Sequence, residues 1–148
     1  MTQIGLKKLH REIENIPGQE YVKIPSTQRT PEILLDRTGT EGMIQFVGRS
    51  LPDDARGFYN PVLVWIDEYY SNPLPKTYIR FKLEYFNTAS SKMLLQMIKK
   101  LEKLEKLEKE NNNVVIEWCY MEDDDDILES GQTFRELTSI PFNFVVYE

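Results

Sequence analysis

The chain has 148 residues, 41% of them hydrophobic, with 18 Lys or Arg against 24 Asp or Glu and a formal net charge of -6; its pI is near 5.0. This is enough chain for one core, since a domain of this size buries roughly 70% of the surface its unfolded chain exposes. The acidity argues against a nucleic-acid backbone as principal partner, because phosphate binding relies on clustered Lys and Arg, and the single cysteine, Cys119, excludes an internal disulfide and a cysteine-based zinc site.

The opening MTQIGLKKLHREI carries charges at positions 7, 8, 11 and 12 and has no apolar run long enough for a signal peptide. No later segment approaches a membrane span, so a cytoplasmic protein with no membrane contact is expected. Residues 1–20 read as a separate N-terminal appendage: Ile4, Leu9, Ile13 and Ile16 sit at loosely helical spacing until Pro17 and Gly18 end the pattern. The domain proper is expected over residues 21–148. Strands are predicted at 22–24, 33–36 and 43–48, punctuated by Pro25, Pro31, Gly39 and Gly42.

A first helix is predicted with Asn60 as N-cap and Pro61 at its first position. Val62, Leu63, Ile66, Tyr69 and Tyr70 form one apolar stripe before Asn72 and Pro73 stop it. In TYIRFKLEYF, Ile79, Phe81, Leu83 and Tyr85 alternate with Arg80, Lys82 and Glu84, the pattern of a strand with one covered face. A second helix places Met93, Leu94, Met97, Ile98, Leu101 and Leu104 on one side and runs to residues 111–113, where asparagine suits a left-handed closing turn. VVIEWCY reads as a mostly buried strand. Residues 122–126 open a third helix with Ile127, Leu128, Phe134 and Leu137 facing inward, and FNFVVY after Pro141 is a last strand. The alternation implies an α/β fold, a small sandwich whose three main helices cover a mixed sheet of about four to six strands.

Several features invite a chemical reading and have a plain alternative. The leucines of LEKLEKLEKE recur every three residues, so successive ones rotate by about 60° and make no long seam; Glu102 with Lys106 and Glu105 with Lys109 are i to i+4 pairs on a solvated face. The run EDDDD at residues 122–126 fails as a calcium loop, because the sixth and twelfth positions from Asp123 are Leu128 and Phe134 rather than Gly and Glu. Carboxylates at a helix start favour its dipole instead. The sole histidine, His10, lies in the appendage, no phosphate-cradling glycine motif follows a strand, and Cys119 sits in a strand where a small buried hydrophobe is expected. The sequence therefore points to no catalytic residue, cofactor or metal.

YFNTASSKMLLQM, residues 85–97, crowds Asn87, Thr88, Ser90 and Ser91 into one strand-to-helix junction. Capping accounts for one such residue. A hydroxyl there is also a candidate phosphoacceptor, since a helix N-terminus favours an anion and a phosphate adds about -1.5 to -2 charges to the surface.

The segments TPEILLD, FVGRSLPDD, FYNPVLVWIDEYYSNP, LEYFNTASSKML and VVIEWCYMEDDDDILESG, in this order, resemble the SiaC family of bacterial regulatory phosphoproteins from about Tyr21 to the C-terminus. The resemblance implies a small STAS-like α/β sandwich, no enzymatic activity and a partner-switching role. It implies a kinase with a histidine-kinase-like ATPase fold, a PP2C-type phosphatase, and a target signalling enzyme, in the best-understood branch a diguanylate cyclase stimulated by the unphosphorylated form. The family's acceptor threonine matches Thr88, with Ser90 and Ser91 as lesser candidates, and the implied partner-binding residues are Asn87, Thr88, Ala89, Ser90, Ser91 and Lys92. Ala89 stands where the family often has Ser, and Asp53 with Asp54 where many relatives have Glu and Asn. A constitutive scaffold, or a metal-dependent enzyme using residues 123–126, is the alternative function.

Overall fold

The computed structural model describes residues 19–107 and 113–148, so residues 1–18 of the N-terminal appendage expected over residues 1–20 lie outside the described residues, as do Asn111, Asn112 and Lys109. Six strands, β1 (Tyr21–Ile24), β2 (Glu32–Asp36), β3 (Gly42–Ser50), β4 (Lys76–Phe86), β5 (Asn113–Met121) and β6 (Phe142–Tyr147), lie side by side in chain order. The pairs β1–β2 and β2–β3 are antiparallel, whereas β3 to β6 run parallel. Each parallel connection is a helix: α1 (Ala55–Tyr69), α2 (Thr88–Leu107) and α3 (Asp125–Glu136). Three successive crossovers moving one way across a sheet, each of the usual hand, stack their helices on a single face.

That face holds the core. Ile33, Leu35, Ile44, Phe46, Ile79, Phe81, Ile116 and Trp118 alternate inward along the strands and meet Val62, Trp65, Ile66, Leu94, Ile98 and Leu101 from the helices. Each such burial contributes roughly 1.5–3 kcal/mol. An aromatic chain crosses the strands, with Phe46 stacked on Phe81 at 5.6 Å, Phe81 against Trp118 at 5.6 Å and Trp118 edge-on to Phe134 at 5.5 Å. The Trp118 indole N–H donates to the Ile127 carbonyl at 2.8 Å. It closes so tightly on α3 that a Cβ on Gly131 would lie 2.4 Å from its ring. Among the described residues no helix packs on the opposite face, where Arg80 is held by the Gln45 side-chain carbonyl at 2.7 Å and by Glu117 at 3.3 Å.

Five local expectations are corrected. Helix α1 begins nearly two turns before Asn60: Asp54 is its N-cap, accepting the Gly57 N–H at 3.0 Å, and a carboxylate both satisfies an orphan donor and suits the positive end of the helix. Pro61 thus lies inside the helix, where it forfeits the bond to the carbonyl four residues back. Asn113 starts β5, donating its N–H to Pro75 at 3.1 Å, rather than closing α2. Glu102 accepts the Ser139 N–H and hydroxyl, both at 2.8 Å, with Lys99 at 3.5 Å, so these are its direct contacts and Lys106 acts on it only as a nearby favourable charge. Leu137 falls just past α3 as its C-cap and is 45% exposed.

The fifth correction shapes the site. Tyr85, expected on the covered face, is 45% exposed. Leu83 pairs with Gly48 and Tyr85 with Arg49, so Glu84 is extra on β4, and Gly48 takes φ +122°, a backbone that favours glycine. Such a bulge re-aims the residues after it. Phe86 turns inward against Trp118 at 6.0 Å, and Tyr85 turns out beneath the Arg49 guanidinium at 5.4 Å.

Candidate phosphorylation site and interaction edge

Because β3, β4 and β5 are parallel, their carboxyl ends share one edge of the sheet, and α1, α2 and α3 all start there. Ligands and partners of open α/β sheets meet the fold at this edge. At its middle, the Asn87 N–H extends the sheet ladder to the Ser50 carbonyl at 3.1 Å. Asn87 Oδ1 accepts the Ser90 N–H at 2.8 Å and its backbone oxygen accepts the Ser91 N–H at 2.9 Å. Asn87 is therefore the cap of α2, and Thr88 is the first helical residue.

The hydroxyls crowded at this junction separate into two kinds. Ser90 is fully buried. Its hydroxyl donates to the Ser50 carbonyl at 2.9 Å and accepts from the Ser50 hydroxyl at 2.8 Å, which leaves the Tyr59 hydroxyl, 2.6 Å away, to donate to Ser50 Oγ. Burial pushes the Tyr59 phenol well above its ordinary pKa, keeping it a neutral donor. This chain ties α1, β3 and the first turn of α2 together. A buried hydroxyl engaged in two bonds offers neither a nucleophile nor a contact surface, so the structure argues against Ser90 as phosphoacceptor or partner contact. Ser91 is half-buried. Thr88, Ala89 and Lys92 are exposed, and among the described residues no hydrogen bond engages the Thr88 hydroxyl.

Acidic helix starts flank this junction. On one side Asp54 caps α1 and Asp53 pairs with Arg29 at 3.1 Å, both side chains being largely exposed. On the other, Asp124 accepts the Ile127 N–H at 3.0 Å and Asp125 and Asp126 occupy the first turn of α3. The alternative of a metal-dependent centre finds little here: Met121 and the four aspartates line an open depression of about 440 Å³, and among the described residues no three His, Cys, Asp or Glu side chains converge as a metal site. Cys119 is buried and desolvation pushes its thiol pKa up, which makes it a weaker nucleophile. Tyr85 and Arg49 went unseen in the sequence because strand alternation hides a bulge; the glycine of FVGRS was the available signal.

Among the described residues these features define a class of small α/β protein with one helical layer, whose exposed edge is built from helix starts. The model of the SiaC family regulatory phosphoproteins matches residues 24–147, and the chain belongs to that family. An uncharacterised protein of Pseudomonas aeruginosa strain UCBPP-PA14 is 28% identical over 119 residues, covering 80% of this chain and 90% of that protein. The crystal structure of apo-SiaC from Pseudomonas aeruginosa superposes with a TM-score of 0.73 at 25% identity, over 86% of this chain and 99% of that one. That of the diguanylate cyclase SiaD in complex with its activator SiaC, from the same organism, matches with a TM-score of 0.75 at 25% identity, over 85% and 99% of the chains. The mixed six-stranded sheet with three helices is thus the fold of SiaC. Among the described residues no helix is long and apolar enough to cross a membrane.

Proposed function

We propose that this protein is a non-enzymatic cytoplasmic regulator that binds a signalling enzyme through the 87–92 edge while Thr88 is unphosphorylated and releases it when Thr88 carries a phosphate. One observation carries the reading: at a junction of crowded hydroxyls, Thr88 is the exposed, unengaged one, while Ser90 is fully buried. The family match over residues 24–147 supports a regulatory domain over residues 21–148, and the complex of SiaC with SiaD supports a diguanylate cyclase as the target class, hence a role in cyclic-di-GMP signalling. A kinase with a histidine-kinase-like ATPase fold and a PP2C-type phosphatase are the enzymes proposed to write and erase the mark.

The physical chemistry fits a switch. The N–H groups of the first turn and the helix dipole favour an anion on Thr88, so the phosphorylated fold survives. A phosphate between two acidic helix starts repels an acidic partner surface and costs any partner the desolvation of a double charge. A coupling of about 1–3 kcal/mol, or roughly 5- to 150-fold in affinity, is enough.

Intact mass and peptide mapping after incubation with the cognate kinase test the assignment. Wild type and Ser90→Ala should gain about 80 Da on the peptide holding Thr88, removable by phosphatase. Thr88→Ala should gain nothing and should hold the target whether or not kinase is present. Undiminished phosphorylation of Thr88→Ala would sink the assignment, and equal target binding by phosphorylated and unphosphorylated wild type would make the protein a constitutive scaffold.

A further inference from the structure

We propose that β6 is a pairing edge, along which two copies of this chain join antiparallel to make one continuous sheet. β6 ends the sheet, with β5 on one side and no strand among the described residues on the other. The Ile116 N–H donates to the Pro141 carbonyl at 2.9 Å, so the odd-numbered positions of β6 turn their backbone groups to β5. Strand geometry then turns the N–H and carbonyl groups of Phe142, Phe144 and Val146 away from it. A row of such groups is a template for another strand, and folds ordinarily guard it with charge, proline or brevity. The β1 edge is guarded in this way, being four residues long with Lys23 inside it and Pro25 just after. FNFVVY carries neither a charge nor a proline over residues 142–147, and Val145 and Val146 are 38% and 54% exposed.

That the strand fits its own copy follows from charge and pattern. Copies of a chain with net charge -6 repel one another in general, but β6 is neutral, so its edges meet with no like-charge pair in the ladder. A two-fold contact requires a patch that complements itself. Antiparallel pairing centred on Phe144 sets that residue opposite its own counterpart and Phe142 opposite Val146 of the partner subunit, so every outward group within the strand finds a partner. Phe142 and Phe144 pack on the helical side with ring centroids 5.9 Å apart, and aromatic pairs across strands favour such a ladder. Because β3 to β6 run parallel within one copy and antiparallel to those of the other, the two 87–92 edges point to opposite ends of the joined sheet. The dimer thus presents two switch surfaces, and pairing covers neither.

Sedimentation equilibrium of the full chain, together with amide exchange followed by NMR, tests this. The mass should rise with concentration from that of one chain, 17.5 kDa, to twice that value. The Phe144 and Val146 amides should exchange about tenfold slower or more in the concentrated sample, while the Val145 amide, turned to β5, changes little. Val146→Pro deletes an outward N–H and no bond to β5, and Val145→Lys puts a charge on the edge. Each should hold the mass at one chain and free the Phe144 amide, with near-UV circular dichroism as in wild type. Val64→Asp, on the helical layer, should leave the dimer intact. A single-chain mass at every concentration, a dimer that survives both β6 substitutions, or a dimer whose Phe144 amide exchanges as fast as in dilute solution would each overturn the pairing. Protection of Phe144 that does not depend on concentration would overturn the second copy as the occupant of this edge.

Discussion

Replacing Ser90 with alanine removes one oxygen from the chain that links α1, β3 and α2, and the structure sets the cost. The Ser50 hydroxyl loses its acceptor at 2.8 Å in a site with no water access, since Ser50 and Ser90 are both fully buried. The Ser50 carbonyl keeps the Asn87 N–H at 3.1 Å and is not orphaned. One lost hydrogen bond is worth about 1 kcal/mol and one stranded buried donor about 1–3 kcal/mol, a total near 2–4 kcal/mol that the better helix propensity of alanine trims to about 2–3 kcal/mol. At about 4 °C per kcal/mol for a domain of this size, the melting temperature should fall by about 8–12 °C. Thr88→Ala, at the exposed first position with Asn87 still capping, should change it by less than about 2 °C. Differential scanning calorimetry of the two variants beside wild type reads the contrast directly. An unchanged melting temperature for Ser90→Ala, or a fall for Thr88→Ala as large as that of Ser90→Ala, would refute the division of these hydroxyls into scaffold and switch.

Gly131→Ala should destabilise the protein by about 1–2 kcal/mol, because overpacking against the Trp118 ring at 2.4 Å outweighs the helix-propensity gain; near-UV circular dichroism should change with it, and a stabilised variant would refute the contact. Asn87→Ala should lower stability by about 1 kcal/mol as a lost N-cap, measured by urea denaturation. Glu102 has its carboxyl held down at about 2 by the Ser139 N–H first and the Ser139 hydroxyl second. A folded-state value below the unfolded one contributes stability that is complete above the unfolded pKa and lost as pH falls through the folded value. The melting temperatures of wild type and Glu102→Gln should therefore differ most above about pH 4.5 and converge as the pH drops toward 2, and a constant gap over that range would remove Glu102 from the acid response.

Much of the architecture was legible because it is periodic. Alternation in TYIRFKLEYF and the stripe from Val62 to Tyr70 each report one buried face, and burial is a property that local pattern encodes. The family resemblance was carried by the same kind of contiguous text, FNTASSKML above all, and it singled out Thr88. What went wrong locally went wrong where two segments meet. Asn60 and Pro61 look like a helix start in isolation, yet Asp54 caps because the loop after β3 delivers it there. Leu137 fits the inward stripe of α3, but the helix ends before it.

The sequence by itself determined the element order, the inward face of nearly every strand and helix, and a junction rich in hydroxyls, since all of these follow from residue type at fixed spacing. Tertiary structure alone decided which hydroxyl is exposed. Ser90 is silent because Ser50 and Tyr59, forty and thirty-one positions away in the chain, close over it, and Tyr85 faces outward because a glycine on a neighbouring strand admits a bulge. Hydrogen bonds and register between distant segments leave no periodic trace in either partner, so their outcome is fixed only when the chain brings those partners together.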